Sequence, residues 1–226
     1  MVTNRLNGTN TNLTLSATIT AAQVGTAGYA ELLLNGAPFA TPIKTSPGNP
    51  TNAATSVSVS LGTSTNAQLR ALIPEGTNTF SLRLYDSANP PNVSGATTAV
   101  TVVADYTPPT VLSVTTTYVG TSATVGASIP IVVAFSEPIT TTASSTLAMN
   151  VTPTARNATC PAVSAQSTLT CTYTVVGGDN ATRLSYSSPA ALTAATLTDV
   201  SGNAGNVTLP STTDNGLSTA FITVGP

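Results

Sequence analysis

Apolar and polar residues alternate with a period of two along most of the chain. Leu13, Leu15, Ala17 and Ile19 interleave with Thr14, Ser16, Thr18 and Thr20, which predicts a strand with one buried face and one hydroxyl-bearing face in water. The same pattern recurs in Val57, Val59 and Leu61, in Phe80, Leu82 and Leu84, and in Ile129, Ile131, Val133 and Phe135. Between Leu32-Leu33-Leu34 and Ala37-Pro38-Phe39 stands Asn35-Gly36, a hairpin signal because both turn positions need positive φ. Gly, Pro and Asn punctuate the strands, and no long window of helical period competes. The pattern predicts an all-β fold of antiparallel sandwiches.

A boundary is predicted in Ala104-Asp105-Tyr106-Thr107-Pro108-Pro109-Thr110, where two prolines remove amide donors, fix φ and stiffen the link. Each side ends alike, with an Asp-containing turn before a last strand. The turns are Leu84-Tyr85-Asp86-Ser87-Ala88-Asn89 and Leu197-Thr198-Asp199-Val200-Ser201-Gly202-Asn203, and the last strands are expected over 98–104 and 219–224. Two tandem sandwiches, 1–105 and 106–226, follow as a weak internal repeat.

Composition narrows the functions. Of 226 residues only 6% are charged, the formal charge is -2, and neither His nor Trp occurs. Six Lys and Arg, spread singly, make no face that could neutralise phosphates, which argues against nucleic acid as a partner. The longest apolar runs are strand-sized and too short for a spanning helix, so no membrane insertion is expected. Without His there is neither an ordinary triad nor an ordinary transition-metal site. Paired carboxylates acting on glycosides would lack aromatic platforms for the sugar. The one lysine, Lys44, sits in the Pro42 to Pro50 loop and reads as a solvated charge, so an enzyme is not expected. Met1-Val2-Thr3-Asn4-Arg5 has no apolar h-region of a signal peptide. That start fits a cytoplasmic protein, a phage-type structural protein or an excised segment with an added Met.

Cys160 and Cys171 flank a polar loop within an expected hairpin. The spacing is no C-x-x-C redox motif, and a lone pair without His makes a poor zinc site. A disulfide is expected, which would point to an oxidising, extracellular setting. The other reading is two buried thiols, since Cys171 is in phase with Leu169, Tyr173 and Val175.

Four segments carry a family resemblance. They are Thr107-Pro108-Pro109-Thr110-Val111, Ile131-Val132-Val133-Ala134-Phe135-Ser136-Glu137-Pro138, Tyr173-Thr174-Val175-Val176-Gly177-Gly178-Asp179-Asn180 and Asp199-Val200-Ser201-Gly202-Asn203-Ala204-Gly205-Asn206. Together they resemble the bacterial Ig-like repeats of large extracellular adhesins. Over residues 1–106 the likeness is looser, carried by Glu31-Leu32-Leu33-Leu34-Asn35-Gly36 and the strand before Asp86, with Pro90-Pro91 where Gly-Asn would be expected. The resemblance implies Ig-like sandwiches in an extracellular, cell-surface stalk or cell-adhesion element that is not an enzyme. It further implies that Asp105, Glu137 and Asp199 share one pole of the second domain, where they could ligate Ca²⁺. No cofactor is otherwise required. The same residues have an ordinary reading, in which Asp bonds its own loop and Glu137 caps a strand beside Arg156 or Arg183. In this topology Asp86 falls at the far pole of the first domain.

Partners are expected to be neighbouring Ig-like domains or identical subunits, with a surface polysaccharide or protein ligand also possible. Sparse charge leaves sheet edges lightly guarded, and Leu13 to Thr20 and Ala220 to Val224 look like clean strand formers. An alternative function is therefore a self-assembling subunit of a pilus-like filament joined by strand addition. A phage decoration or tail-fibre module is a further one. Thr115 to Thr117 and Thr140 to Thr142 read as exposed edges or loops. Seven Asn-x-Ser/Thr sequons, at Asn7, Asn12, Asn92, Asn150, Asn157, Asn180 and Asn206, are close to what so hydroxyl-rich a chain produces by chance.

Overall fold

The computed structural model describes residues 4–19, 28–45, 55–194, 196–213 and 216–225. Residues 1–3, Thr20 and residues 46–50 of the Pro42 to Pro50 loop lie outside these. The chain divides into two compact units, Met1–Thr107 and Pro108–Pro226.

In the first unit, β1 (Arg5–Leu6), β2 (Thr14–Ile19), β3 (Tyr29–Leu34), β4 (Ala37–Pro38), β5 (Lys44–Thr45) and β6 (Thr55–Ser60) precede helix α1 (Asn66–Leu72). Then come β7 (Gly76–Tyr85), β8 (Val93–Ala96) and β9 (Val100–Ala104). One sheet has the order β1-β9-β7-β3-β4, with β5 on β3 and β8 on β7, while β2 and β6 form the other. Read in chain order as strands A′ to G, these are the A′GFCC′ and BE sheets of an Ig-like sandwich. Apolar faces from both sheets close one core, with Leu32, Phe80, Leu82, Leu84 and Val102 packed among Val59 and Leu61. The predicted hairpin is present: Leu34 pairs with Ala37, and Asn35 and Gly36 have φ of 52° and 82°.

The second unit contains β10 (Val111–Thr116), β11 (Ser122–Ala123), β12 (Ser128–Thr141), β13 (Ser145–Met149), β14 (Arg156–Cys160), β15 (Gln166–Thr174), β16 (Leu192–Thr193), β17 (Leu197–Asp199) and β18 (Thr223–Val224). Its main sheet runs β10-β12-β15-β14-β13-β16, with β17 on β12. The first four strands reproduce the A-B-E-D order of an Ig-like sandwich, and β13 beside β16 gives the C-F pair. Alternation along β12 buries Ile129, Ile131, Val133 and Phe135 against Leu169, Cys171 and Tyr173 of β15.

Both units join their last strand in parallel to one near their start, through the same pair of bonds. In the first, the amides of Val103 and Asp105 donate to the carbonyls of Asn4 and Leu6, both at 2.9 Å. In the second, those of Thr223 and Gly225 donate to Thr121 and Ala123, at 2.9 and 3.3 Å.

The structure corrects several expectations. A helix, α1, interrupts the strands; Thr65 caps it by accepting from the Gln68 amide, while Gln68 reaches back to the Thr65 amide. The last strand of the second unit is only Thr223–Val224, because Ser218–Ala220 forms a 3₁₀ turn and Phe221 takes φ of 52°. Nor is it an open edge: Val224 exchanges two backbone bonds with Ala181 while β18 pairs with β11. Thr141 is buried within β12 rather than exposed, and its hydroxyl accepts the Val163 amide.

Candidate functional site

The three nominated carboxylates lie on or beside strands: Asp105 just after β9, Glu137 within β12 and Asp199 at the end of β17. Asp105 comes directly after β9 in the first unit, where its Oδ1 accepts the Thr107 amide at 3.3 Å. Beside it the chain is tied down by Glu75, whose Oε1 accepts from the Tyr106 amide at 2.9 Å and the Thr107 hydroxyl at 2.8 Å. The Thr107 hydroxyl, then the Tyr106 amide, hold the Glu75 carboxyl below its ordinary value. Tyr106 is buried with its hydroxyl on the Ile73 carbonyl and Arg70 over its ring. Asp86 follows the opposite end of β7, since Gly76 of that strand lies against Ala104 and Asp86 comes after Tyr85. That is the far pole of the first unit, as expected.

In the second unit Asp199 ends β17, where it sits opposite Ile139 of β12. That pairing brings the β12 residue Glu137 close, and carboxylate oxygens of Glu137 and Asp199 lie within 4.8 Å of one another. Asp199 is buried and organises its own loop. Its Oδ1 accepts the amides of Ser201 and Asn203, both at 2.8 Å, and its Oδ2 accepts the Asn203 side-chain amide at 2.7 Å. Gly202 supplies the turn with φ of 89°. A Cβ at Gly205 would overlap the Leu197 side chain, so glycine lets the returning segment approach without displacing that leucine. A carboxylate has about four acceptor directions, and the loop's own donors take three of those on Asp199.

The first unit repeats this clasp. Asp86 Oδ1 accepts the amides of Ala88 and Asn92, and its Oδ2 accepts the Asn92 side-chain amide. The Asn92 side chain is the main cause, followed by the Asn92 and Ala88 backbones, that depresses the Asp86 carboxyl below its usual range. Pro90-Pro91 lengthens the turn, and Asn92 takes the place of the Asn in the Gly-Asn motif.

Cys160 and Cys171 form a disulfide with Cα atoms 3.9 Å apart, and both are fully buried. They lie next to the Thr159–Thr172 pair that joins β14 to β15. Bond and burial therefore hold together, since Leu169, Tyr173 and Val175 share the buried face.

The two arginines expected beside Glu137 have other partners. Arg156 Nε donates to Asp179 Oδ1 at 2.7 Å, whereas Arg183 reaches the Ser218 and Thr213 carbonyls and lies over the Phe221 ring. Asp179 is a buried group that sequence reasoning left unassigned. It accepts the Tyr173 hydroxyl at 2.8 Å and the Val176 amide at 2.9 Å. Burial alone would raise its carboxyl, but the Val176 amide, Arg156 and Tyr173 outweigh burial and lower it. The Tyr173 hydroxyl is driven strongly upward by burial and by Asp179. Lys44 is likewise more than a solvated loop charge: it lies on β5, with Nζ 4.5 Å from the Tyr29 ring centroid and 3.4 Å from its hydroxyl.

No family model and no curated protein matches the chain. Among solved structures it is similar to the crystal structure of an ICAM-5 D1–D4 ectodomain fragment, at 13% identity and a TM-score of 0.35, over 82% of this chain and 47% of that one. The chain thus spans about half the length of that fragment. Its all-β, Ig-like assignment rests on the strand orders above. Among the described residues no helix is long and apolar enough to cross a membrane.

Proposed function

We propose that the chain is a pair of tandem Ig-like modules from an extracellular, cell-surface protein of the adhesin type, acting as a stalk or cell-adhesion element without catalysis. The observation that carries this reading is the parallel pairing of an early with the last strand, repeated bond for bond in both units. Such a pairing fastens the last strand of each fold to its early part. The buried disulfide supports an oxidising location. The link adds to this: Thr107 is held by Glu75 in the first unit, and the Pro109 carbonyl accepts the Asn206 amide at 2.8 Å in the second. Partners would be neighbouring modules, with protein or polysaccharide ligands engaged through loops.

Calcium belongs to the same proposal, with Asp105, Glu137 and Asp199 as ligands. Glu137 and Asp199 suit a hard, oxygen-seeking cation. EDTA treatment followed by Ca²⁺ should lower and then restore the melting temperature; no change in either step would remove calcium from the proposal.

Among the described residues, filament assembly draws support from strands paired with one neighbouring strand, such as β10, which pairs with β12 alone and exposes Leu112, and from the first unit. There, among the described residues, β8 pairs with β7 alone and Val93 and Val100 are exposed. Sedimentation over a wide concentration range, with antibody labelling of intact source cells, tests the choice. A monomer on labelled surfaces supports the adhesin reading. Concentration-dependent polymers would replace it with the filament, and an intracellular location would overturn both.

A further inference from the structure

Tyr29 and Tyr85 are direct cross-strand partners on β3 and β7. Their rings stack with centroids 4.5 Å apart and planes inclined by 12°. The Tyr85 hydroxyl donates to Glu31 Oε2 at 2.7 Å, and Glu31 is itself buried, two residues along β3 from Tyr29. Lys44 Nζ closes over Tyr29 at 4.5 Å and lies 5.9 Å from the Tyr85 ring. Both tyrosines are partly exposed, and this is the one stacked aromatic pair among the described residues.

Other oxidisable groups are scarce. The chain has no Trp, its two cysteines are already paired, and Met149 is buried. Tyr106, Tyr173 and Tyr186 are buried as well. Of the other tyrosines only Tyr118 is partly exposed, and it has no aromatic neighbour in contact. Among the described residues the oxidisable groups within reach of the surface are therefore tyrosines, and only one pair of them is in position to react together.

We propose that Tyr29 and Tyr85 are an oxidative cross-linking site, joined as dityrosine by a one-electron oxidant of the peroxidase class, which covalently ties β3 to β7. Each phenol gives up one electron and its O–H proton; Tyr85 passes its proton to the Glu31 carboxylate and Tyr29 to water. The two phenoxyl radicals couple through ring carbons ortho to oxygen, forming one C–C bond. The hydrogens on those carbons then move to the oxygens, and both phenols are restored. With hydrogen peroxide as terminal oxidant, the two electrons and two protons convert one peroxide to two waters. The hydrogen bond to Glu31 provides a proton acceptor before the electron leaves, and also holds the Tyr85 phenol above its ordinary value. The inference is independent of the adhesin reading. It would give the first unit, which contains no cysteine, a cross-strand covalent tie corresponding to Cys160–Cys171 in the second.

The test is to treat the full chain with hydrogen peroxide and a haem peroxidase at low protein concentration. Dityrosine fluorescence and peptide mass mapping are then read. A monomer that has lost two hydrogen atoms, with the peptides of Tyr29 and Tyr85 linked, is expected. Tyr29→Phe and Tyr85→Phe should each abolish it, Tyr118→Phe should leave it intact, and Glu31→Gln should slow its formation. Circular dichroism confirms that each variant is folded. Covalent dimers through Tyr118, or oxidation with no Tyr29–Tyr85 link in the folded wild-type chain, would overturn the proposal.

Discussion

The backbone amide of Asn92 donates to Asp86 Oδ1 at 2.7 Å while its side-chain amide donates to Oδ2 at 2.6 Å, so one residue engages both oxygens of one carboxylate. Asn203 does the same to Asp199 in a buried loop. Asn203→Ala leaves a buried carboxylate oxygen short of a donor, at a cost of about 1–3 kcal/mol. Urea unfolding should register that loss, whereas Asn92→Ala, at an exposed clasp, should cost less. An equal loss for the two variants would mean that burial does not set the value of the clasp.

Acid should act on the second unit through Asp179. Its carboxyl is depressed on folding, so its contribution is present above the unfolded value of about 3.9 and is lost as pH falls through the lower folded value. Arg156→Ala leaves the charge buried without its partner and should cost about 3 kcal/mol. In that variant the folded value rises, and acid unfolding should begin at higher pH. Circular dichroism against pH for wild type and variant reads both effects.

Reduction of Cys160–Cys171 reopens a short loop, with a sequence separation of 11. The chain-entropy estimate for such a loop is about 3 kcal/mol. Hydrogen exchange with and without dithiothreitol should show β14 and β15 losing protection while β3 and β7 keep theirs. Unchanged protection in β14 and β15 would mean that packing, not the bond, secures the hairpin.

Thr65→Ala removes the acceptor for the Gln68 amide at the start of α1 and should cost about 1 kcal/mol. Thr65→Ser keeps the oxygen and should restore nearly all of it. Denaturant midpoints for the two variants decide whether the cap acts through that hydrogen bond.

The alternating strands and the Asn35-Gly36 hairpin were legible because their signals are local: period two fixes a face, and positive φ selects the turn residues. The disulfide was legible because the two cysteines fall on strands joined by a short loop. Helix α1 was overlooked although Thr65 and Gln68 spell a capping box before Leu69, Leu72 and Ile73, since seven residues are too few for a periodicity search. Long-range facts left no local trace. Arg156 meets Asp179 across 23 positions, and Glu31 is buried within a strand where alternation fails because Ala30, Leu32 and Leu33 are buried too. Of the nominated carboxylates, Asp199 was marked by its Asp-x-Ser-Gly-Asn loop. The role of Asn92 in the first unit was hidden by the two prolines that displace it.

The paired early and last strands in each unit determine how the fold meets a pull on the chain. Tension drags the early strand toward its N-terminal side and the last strand toward its C-terminal side. Because the two run parallel, these displacements are opposite and lie along the strands. The bonds from Val103 and Asp105, and from Thr223 and Gly225, are then loaded in shear and must yield together rather than unzip in turn. The pairings are short and make a modest clamp, but each unit carries its own, so stretching would meet resistance module by module.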